Sequence, residues 1–145
     1  MTSIFLGADH AGYEYKEYVK ELLNKAGIPY VDVGTFKKTP KVDYPKIARK
    51  VAEKVVQLKG AGILVCGTGT GMAMAANKVK GARAAFAYDE YSAKMARKDN
   101  DANIITFRAR KFPRTKIKPL LKIFLETLPS KAERHKKRVK QVNRM

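Results

Sequence analysis

The chain has 145 residues, 45% of them apolar and 30% charged, with a formal net charge of +18. That length and apolar content suit one folded domain over residues 1–145 and exclude a disordered polyelectrolyte. No run of about 18 uncharged apolar residues exists, which excludes a bilayer-spanning helix, and the single cysteine, Cys66, excludes an internal disulfide.

Residues 1–9 are apolar but too short for a secretory h-region and lack a basic flank, so residues 3–8 read as a first strand. With the lone cysteine, this points to a reducing, cytoplasmic setting. Residues 12–26 place Tyr15, Tyr18, Val19, Leu22 and Leu23 at helical spacing, and Gly27 is a natural stop. Residues 29–33 read as a second strand closed by Gly34, and 35–42 as a polar, Lys-rich loop. Asp43 stands where a helix cap belongs, with Pro45 in the first turn and Ile47, Ala48, Val51, Val55 and Val56 following at helical spacing. Gly60 stops that helix.

Residues 61–66 are almost purely apolar, the pattern of a central parallel strand covered on both faces. The glycine-rich loop 67–71 leads into a helix over 72–78. A strand over 82–87, a helix over 90–98 and a strand over 104–107 come next. A helix around 119–128 tolerates Pro119 only in its first turn. Residues 131–143 form a last, very basic helix. Strands alternate with helices five times, which predicts an α/β fold: a three-layer α/β/α Rossmann-like domain on a five-stranded parallel sheet. Right-handed crossovers then line up Asp9-His10, Gly34, the 67–71 loop, Tyr88-Asp89 and residues 108–110 along one sheet edge, where open α/β sheets bind ligands.

The charge is uneven. Residues 108–145 hold 14 Lys/Arg against 2 Asp/Glu, net +12, leaving +6 for the rest. A solvated helix surface, phosphate capture and polyanion binding (nucleic acid included) all accommodate that bias.

The strongest local signal is Cys66 followed by Gly67, Thr68, Gly69, Thr70 and Gly71. Glycines let the backbone approach a ligand, and successive amides ahead of a helix cradle an anion. A strand-end cysteine facing that turn feels the same positive field, which favours a thiolate; a merely buried strand cysteine is the competing reading. A dinucleotide fingerprint is a rival, with Asp89 at the next strand end as the ribose-binding acid. The third glycine is one position early for it, and 145 residues leave no room for a second substrate domain. Asp9, His10 and Gly12 at the first strand end suit contact with a sugar hydroxyl and a phosphate, or else a helix cap beside a surface histidine. Arg134 and Arg138, four apart, share a helix face that can grip a phosphate or simply face water.

These motifs occur together and in order: Gly7-Ala-Asp9-His10-Ala-Gly12, Val33-Gly34-Thr35, Asp43-Tyr44-Pro45, Cys66-Gly-Thr-Gly-x-Gly71, Ala76-Asn77-Lys78, Asn100-Asp-x-Asn103 and Arg134-His135-x-x-Arg138. The set spans nearly the whole chain and resembles the ribose-5-phosphate isomerase B family, which includes the galactose-6-phosphate isomerase subunits. The resemblance implies an aldose–ketose isomerase acting on a phosphorylated sugar without metal or organic cofactor. It also implies a homodimer or tetramer with shared active sites, the helix over about 130–143 reaching the partner subunit. Cys66 is then the base, Thr68 joins it in catalysis, and the turn with Gly67, Gly69 and Gly71 stabilises an enediolate. Asp9, Tyr44 and Asn100 would contact the sugar, and His10, Arg110, Arg134 and Arg138 the phosphate.

Two positions depart from the pattern. Asp99 stands where such isomerases of ribose 5-phosphate carry a ring-opening histidine, and an aspartate in water accepts a proton at neutral pH rather than donating one. That departure keeps a hexose-phosphate isomerase subunit in view, as the basic quarter keeps a non-enzymatic polyanion-binding relative. Arg108 replaces a small residue.

Overall fold

The computed structural model describes residues 3–145; residues 1–2 of the apolar N-terminal stretch lie outside the described residues. In chain order the elements are β1 (Ile4–Ala8), α1 (Tyr13–Lys25), β2 (Val31–Gly34), α2 (Tyr44–Leu58), β3 (Ala61–Cys66), α3 (Thr70–Ala76), β4 (Ala84–Phe86), α4 (Glu90–Lys98), β5 (Ile104–Arg108), a 3-10 turn (Arg114–Lys116), α5 (Ile117–Glu126) and α6 (Glu133–Asn143). All strand pairs are parallel, in the order β2-β1-β3-β5-β4. The three inner strands are nearly or fully buried along their length, while β2 and β4, at the edges, are partly open.

The two-residue period of a strand sorts side chains to opposite faces. Ala61, Ile63 and Val65 of β3 pack with Val19 and Leu23 of α1, Ala93 of α4 and Phe124 of α5. Leu64 and Cys66 face the other way, onto Val51 and Val55 of α2 and Met72 of α3. The result is the expected three-layer α/β/α arrangement, and it turns the Cys66 side chain toward the α2/α3 layer. None of the residues of α6 is fully buried.

Several element ends differ from the sequence expectation, each for a local reason. α3 starts at Thr70, inside the predicted loop, because Gly69 (φ 78°) turns the chain into the helix through the left-handed region that glycine tolerates. β4 covers only Ala84–Phe86: the Arg83 amide donates to Asn103 Oδ1 and the Ala84 amide to Asn77 Oδ1, both at 2.7 Å, so side chains replace the ladder where the strand was expected to begin. α6 starts at Glu133 because the Ala132 amide is taken by Ser130 Oγ at 3.0 Å. Asp43 does precede α2, but its carboxylate makes no capping bond.

One ionic cluster lies deep in the fold. Lys16, on α1, is 1% exposed, and its ammonium meets Asp32 of β2 and Glu17 while lying 5.5 Å from the Tyr13 ring centroid and 5.7 Å from that of Phe36. Asp32 also takes Lys20 at 3.0 Å and accepts from the Gly34 amide at 3.0 Å. Burial alone would push the Asp32 carboxyl up; the Lys16 and Lys20 ammoniums outweigh it and hold the group below its ordinary 3.8.

A carboxyl depressed in this way stabilises the fold above its ordinary value and loses that contribution as pH falls through the lower, folded-state value. Asp32→Asn leaves Lys16 buried without its principal partner, which costs about 3 kcal/mol at neutral pH. Denaturant unfolding should show that deficit narrowing once the pH drops below 3.8. A deficit of the same size on the acid limb would contradict the assignment.

Candidate active site

The strand order changes direction between β1 and β3. The crossover from β1 leads outward to β2, and β3 pairs on the other side of β1. Ligands of open α/β sheets bind at such a switch point, beyond the carboxyl ends of the strands. Asp9 and Cys66 stand there, at the ends of β1 and β3.

Cys66 is 4% exposed, and its sulfur accepts a bond from the Gly69 amide at 3.1 Å. The Gly69 carbonyl in turn accepts from the Thr106 hydroxyl at 2.7 Å. A side chain at Gly69 would stand 2.7 Å from the Phe86 ring. The turn is therefore held from both polar sides of one residue, and glycine alone fits. The amides of Thr70 and Gly71, in the first turn of α3, have no carbonyl partner within the helix. Thr68 Oγ1 and Thr70 Oγ1 lie 2.8 Å apart on the exposed side of the turn.

Other elements bring the remaining groups to the same rim. Asp9, 6% exposed, accepts at Oδ1 from the Gly12 amide at 2.9 Å, an inward turn rather than a cap on α1. His10 Nδ1 lies 3.3 Å from both the Val42 amide and the Val42 carbonyl, so the 35–42 loop holds the ring. Tyr44 opens α2 and lays its ring against the glycine turn: a Cβ on Gly71 would be 2.7 Å from Tyr44 Cζ. The Arg110 amide donates to the Gly67 carbonyl at 3.0 Å, and its guanidinium covers Gly67, where a Cβ would be 2.9 Å from Nη1.

Asp99, Asn100, Arg134 and Arg138 do not join them. Asp99 ends α4 and Asn100 follows, ahead of β5, at the sheet edge opposite Cys66. There Asn100 and Arg138 line a cavity of about 470 Å³ together with Asn77, Arg83, Val139 and Val142. His135 Nε2 is 3.7 Å from Asp99 Oδ1, and His135 Nδ1 is buried with no hydrogen-bond partner among the described residues. Arg134, on the first turn of α6, is exposed. One chain thus presents two sets of residues at opposite ends of its sheet.

Asp89, the rival ribose ligand, is committed elsewhere: it caps α4 by accepting from the Ser92 amide at 2.7 Å in a reciprocal capping box. Among the described residues no three His, Cys, Asp or Glu side chains gather to hold a metal ion, and no helix is long and apolar enough to cross a membrane. Thr106 and Val42 went unnoticed in the sequence. Thr106 had a signal, a lone hydroxyl within an apolar strand; Val42 had none, since it acts through its backbone.

Residues 4–142 match the family described as ribose/galactose isomerase. A putative sugar phosphate isomerase, YwlF, of Bacillus subtilis is 42% identical over 125 residues, 86% of this chain and 84% of that protein. Ribose-5-phosphate isomerase B of Mycobacterium tuberculosis is 37% identical over 137 residues, 94% of this chain and 85% of that protein. Among solved structures, a ribose 5-phosphate isomerase from Thermotoga maritima superposes with a TM-score of 0.93 at 36% identity, covering 99% of both chains. Ribose-5-phosphate isomerase B from Mycoplasma genitalium with bound ribulose-5-phosphate gives a TM-score of 0.92 at 35% identity, covering 98% of this chain and 94% of that one.

The close packing at the rim makes a testable distinction. A Cβ on Gly12 would stand 2.2 Å from the Val65 carbonyl oxygen, a backbone atom in the sheet centre. Gly12→Ala should therefore cost about 3 kcal/mol in urea unfolding. Gly71→Ala meets only the side chain of Tyr44, which can swing aside, and should cost less than half as much. Equal losses would refute the difference in rigidity.

Proposed function

The chain belongs to the ribose/galactose isomerase family, and from that membership we propose that it interconverts ribose 5-phosphate and ribulose 5-phosphate with Cys66 as the base. The observation that carries the reading is the Gly69 amide aimed at the Cys66 sulfur at 3.1 Å. A donor in that place favours negative charge on sulfur, and moving a proton between adjacent carbons needs one such base beside an electrostatic clamp on the developing charge.

The thiolate removes the C2 proton of the open-chain aldose. The electron pair shifts into a C1–C2 double bond, and the former carbonyl oxygen becomes the enediolate oxygen. Amides of the 67–71 turn stabilise that oxygen, with Thr68 at the turn's open side. The proton held on sulfur returns at C1, the C2 hydroxyl proton passes to the oxygen on C1, and the ketose carbonyl forms at C2. Asp9, held by the Gly12 amide, and Tyr44, against Gly71, contact the sugar hydroxyls. His10 and Arg110 hold the phosphate, so that binding energy from the remote end of the substrate orients the reacting end.

Asp99, Asn100, Arg134 and Arg138 complete the site from a second copy of the chain. Their place at the opposite sheet edge supports this: no single chain brings them to Cys66. The protein then works as a homodimer, or as a tetramer of such pairs, with α6 reaching across the interface. A phosphorylated metabolite as substrate and an unpaired thiol suit the cytoplasm. Asp99 favours one further reading, an isomerase subunit for a hexose 6-phosphate. A panel of pentose and hexose phosphates decides between them, and a gain on ribose 5-phosphate in Asp99→His would mark ring opening as the step affected.

Cys66→Ala should lower kcat for ribulose 5-phosphate formation by about 10²–10⁴-fold with the fold intact; undiminished activity would remove the thiol from the mechanism. Shared sites give a second test. Mixing inactive Cys66→Ala with inactive Arg138→Ala under subunit exchange should restore about a quarter of wild-type activity, because half the dimers are hybrids with one intact site each. A mixture that stays inactive would confine each site to one chain.

A further inference from the structure

Arg108 ends β5 in register with Cys66 on β3. The two side chains therefore leave the same face of the sheet, next to the glycine turn. Among the described residues Arg108 has no acidic partner. Its Nε donates to the Arg110 carbonyl at 2.9 Å.

The turn it bonds to is under tension. Lys111 sits in the left-handed region (φ 52°), which a side chain makes unfavourable. Bonds from neighbouring elements hold such a conformation in place. The Ala109 amide donates to the Cys66 carbonyl at 3.0 Å, and the Arg110 amide to the Gly67 carbonyl at 3.0 Å. These tie the start of the turn to β3. The Arg108 side chain ties its middle, beyond the reach of the ladder. Arg110 itself is exposed, with its guanidinium over Gly67, and an exposed arginine has many rotamers to lose on binding.

We propose that Arg108 is a positioning residue for anion capture: by bonding the Arg110 carbonyl it holds the 108–111 turn, and with it the Arg110 guanidinium, over the glycine turn. The inference rests on the assignment of Arg110 to the substrate phosphate.

The test compares Arg108→Ala, Arg108→Gln and Arg110→Ala in the full chain. It measures KM and kcat for ribose 5-phosphate and, separately, binding of inorganic phosphate by calorimetry. Arg108→Ala should raise KM and the phosphate dissociation constant together, by about three- to tenfold, while kcat stays within about twofold. Arg108→Gln keeps a donor without the charge and should recover most of the loss. Unchanged phosphate binding in Arg108→Ala, a loss confined to kcat, or a glutamine variant no better than alanine would each overturn the inference. If Arg110→Ala itself binds phosphate normally, the assignment of Arg110 fails and this inference falls with it. If only Arg110→Ala weakens binding, the inference alone fails.

Discussion

The site depends on one residue's two hydrogen bonds. Gly69 gives its amide to the Cys66 sulfur and its carbonyl to the Thr106 hydroxyl. The first bond aims a dipole at the thiol; the second stops the turn from rotating away. Cys66 ends β3 three residues earlier, whereas Thr106 lies 37 residues on, within β5, and the pairing of those two strands sets the distance between the two partners. The left-handed backbone at Gly69 and the Phe86 ring against it leave no other residue type able to occupy the position. The thiol's setting is thus a property of the sheet rather than of the cysteine.

The sheet also explains why the candidate residues fall into two sets. A parallel strand delivers its carboxyl end to one edge and receives its connection at the other. Cys66 ends a strand, Asp9 and Arg110 follow strand ends, and the three gather around the switch point. Asn100 precedes a strand, so it lies some strand's length away, beside α6 and Arg138. The proposed sharing of each site between two copies of the chain rests on this separation.

Much of this was legible in the amino-acid order because its causes are local. Short apolar runs marked the strands and period-3.6 spacing the helices, and the nearly pure apolar run at 61–66 marked β3 as central. The glycine turn and Asp9 were recognisable as site residues because strand ends in such folds share an edge. Other features depend on partners far along the chain. Nothing beside Lys16 announces that Asp32 and Phe36 will enclose it. The shortening of β4 comes from the Asn77 and Asn103 side chains, one of them 20 residues from the amide it bonds. The glycine spacing already told against a nucleotide role for Asp89, but its engagement with Ser92 is a matter of backbone geometry at the start of α4.

The strand order has a consequence for assembly in time. β4 is synthesised before β5, yet its only neighbour in the sheet is β5. It has nothing to pair with until residues 104–108 have joined β3. Phe86, which walls the glycine turn, and Thr106, which anchors it, are therefore tied to the same strand pairing. Sequence-distant pairings of this kind are slow to form. A chain that ends before β5 holds the cysteine but lacks both the wall and the anchor of its turn, so the geometry around Cys66 is complete only when the sheet closes.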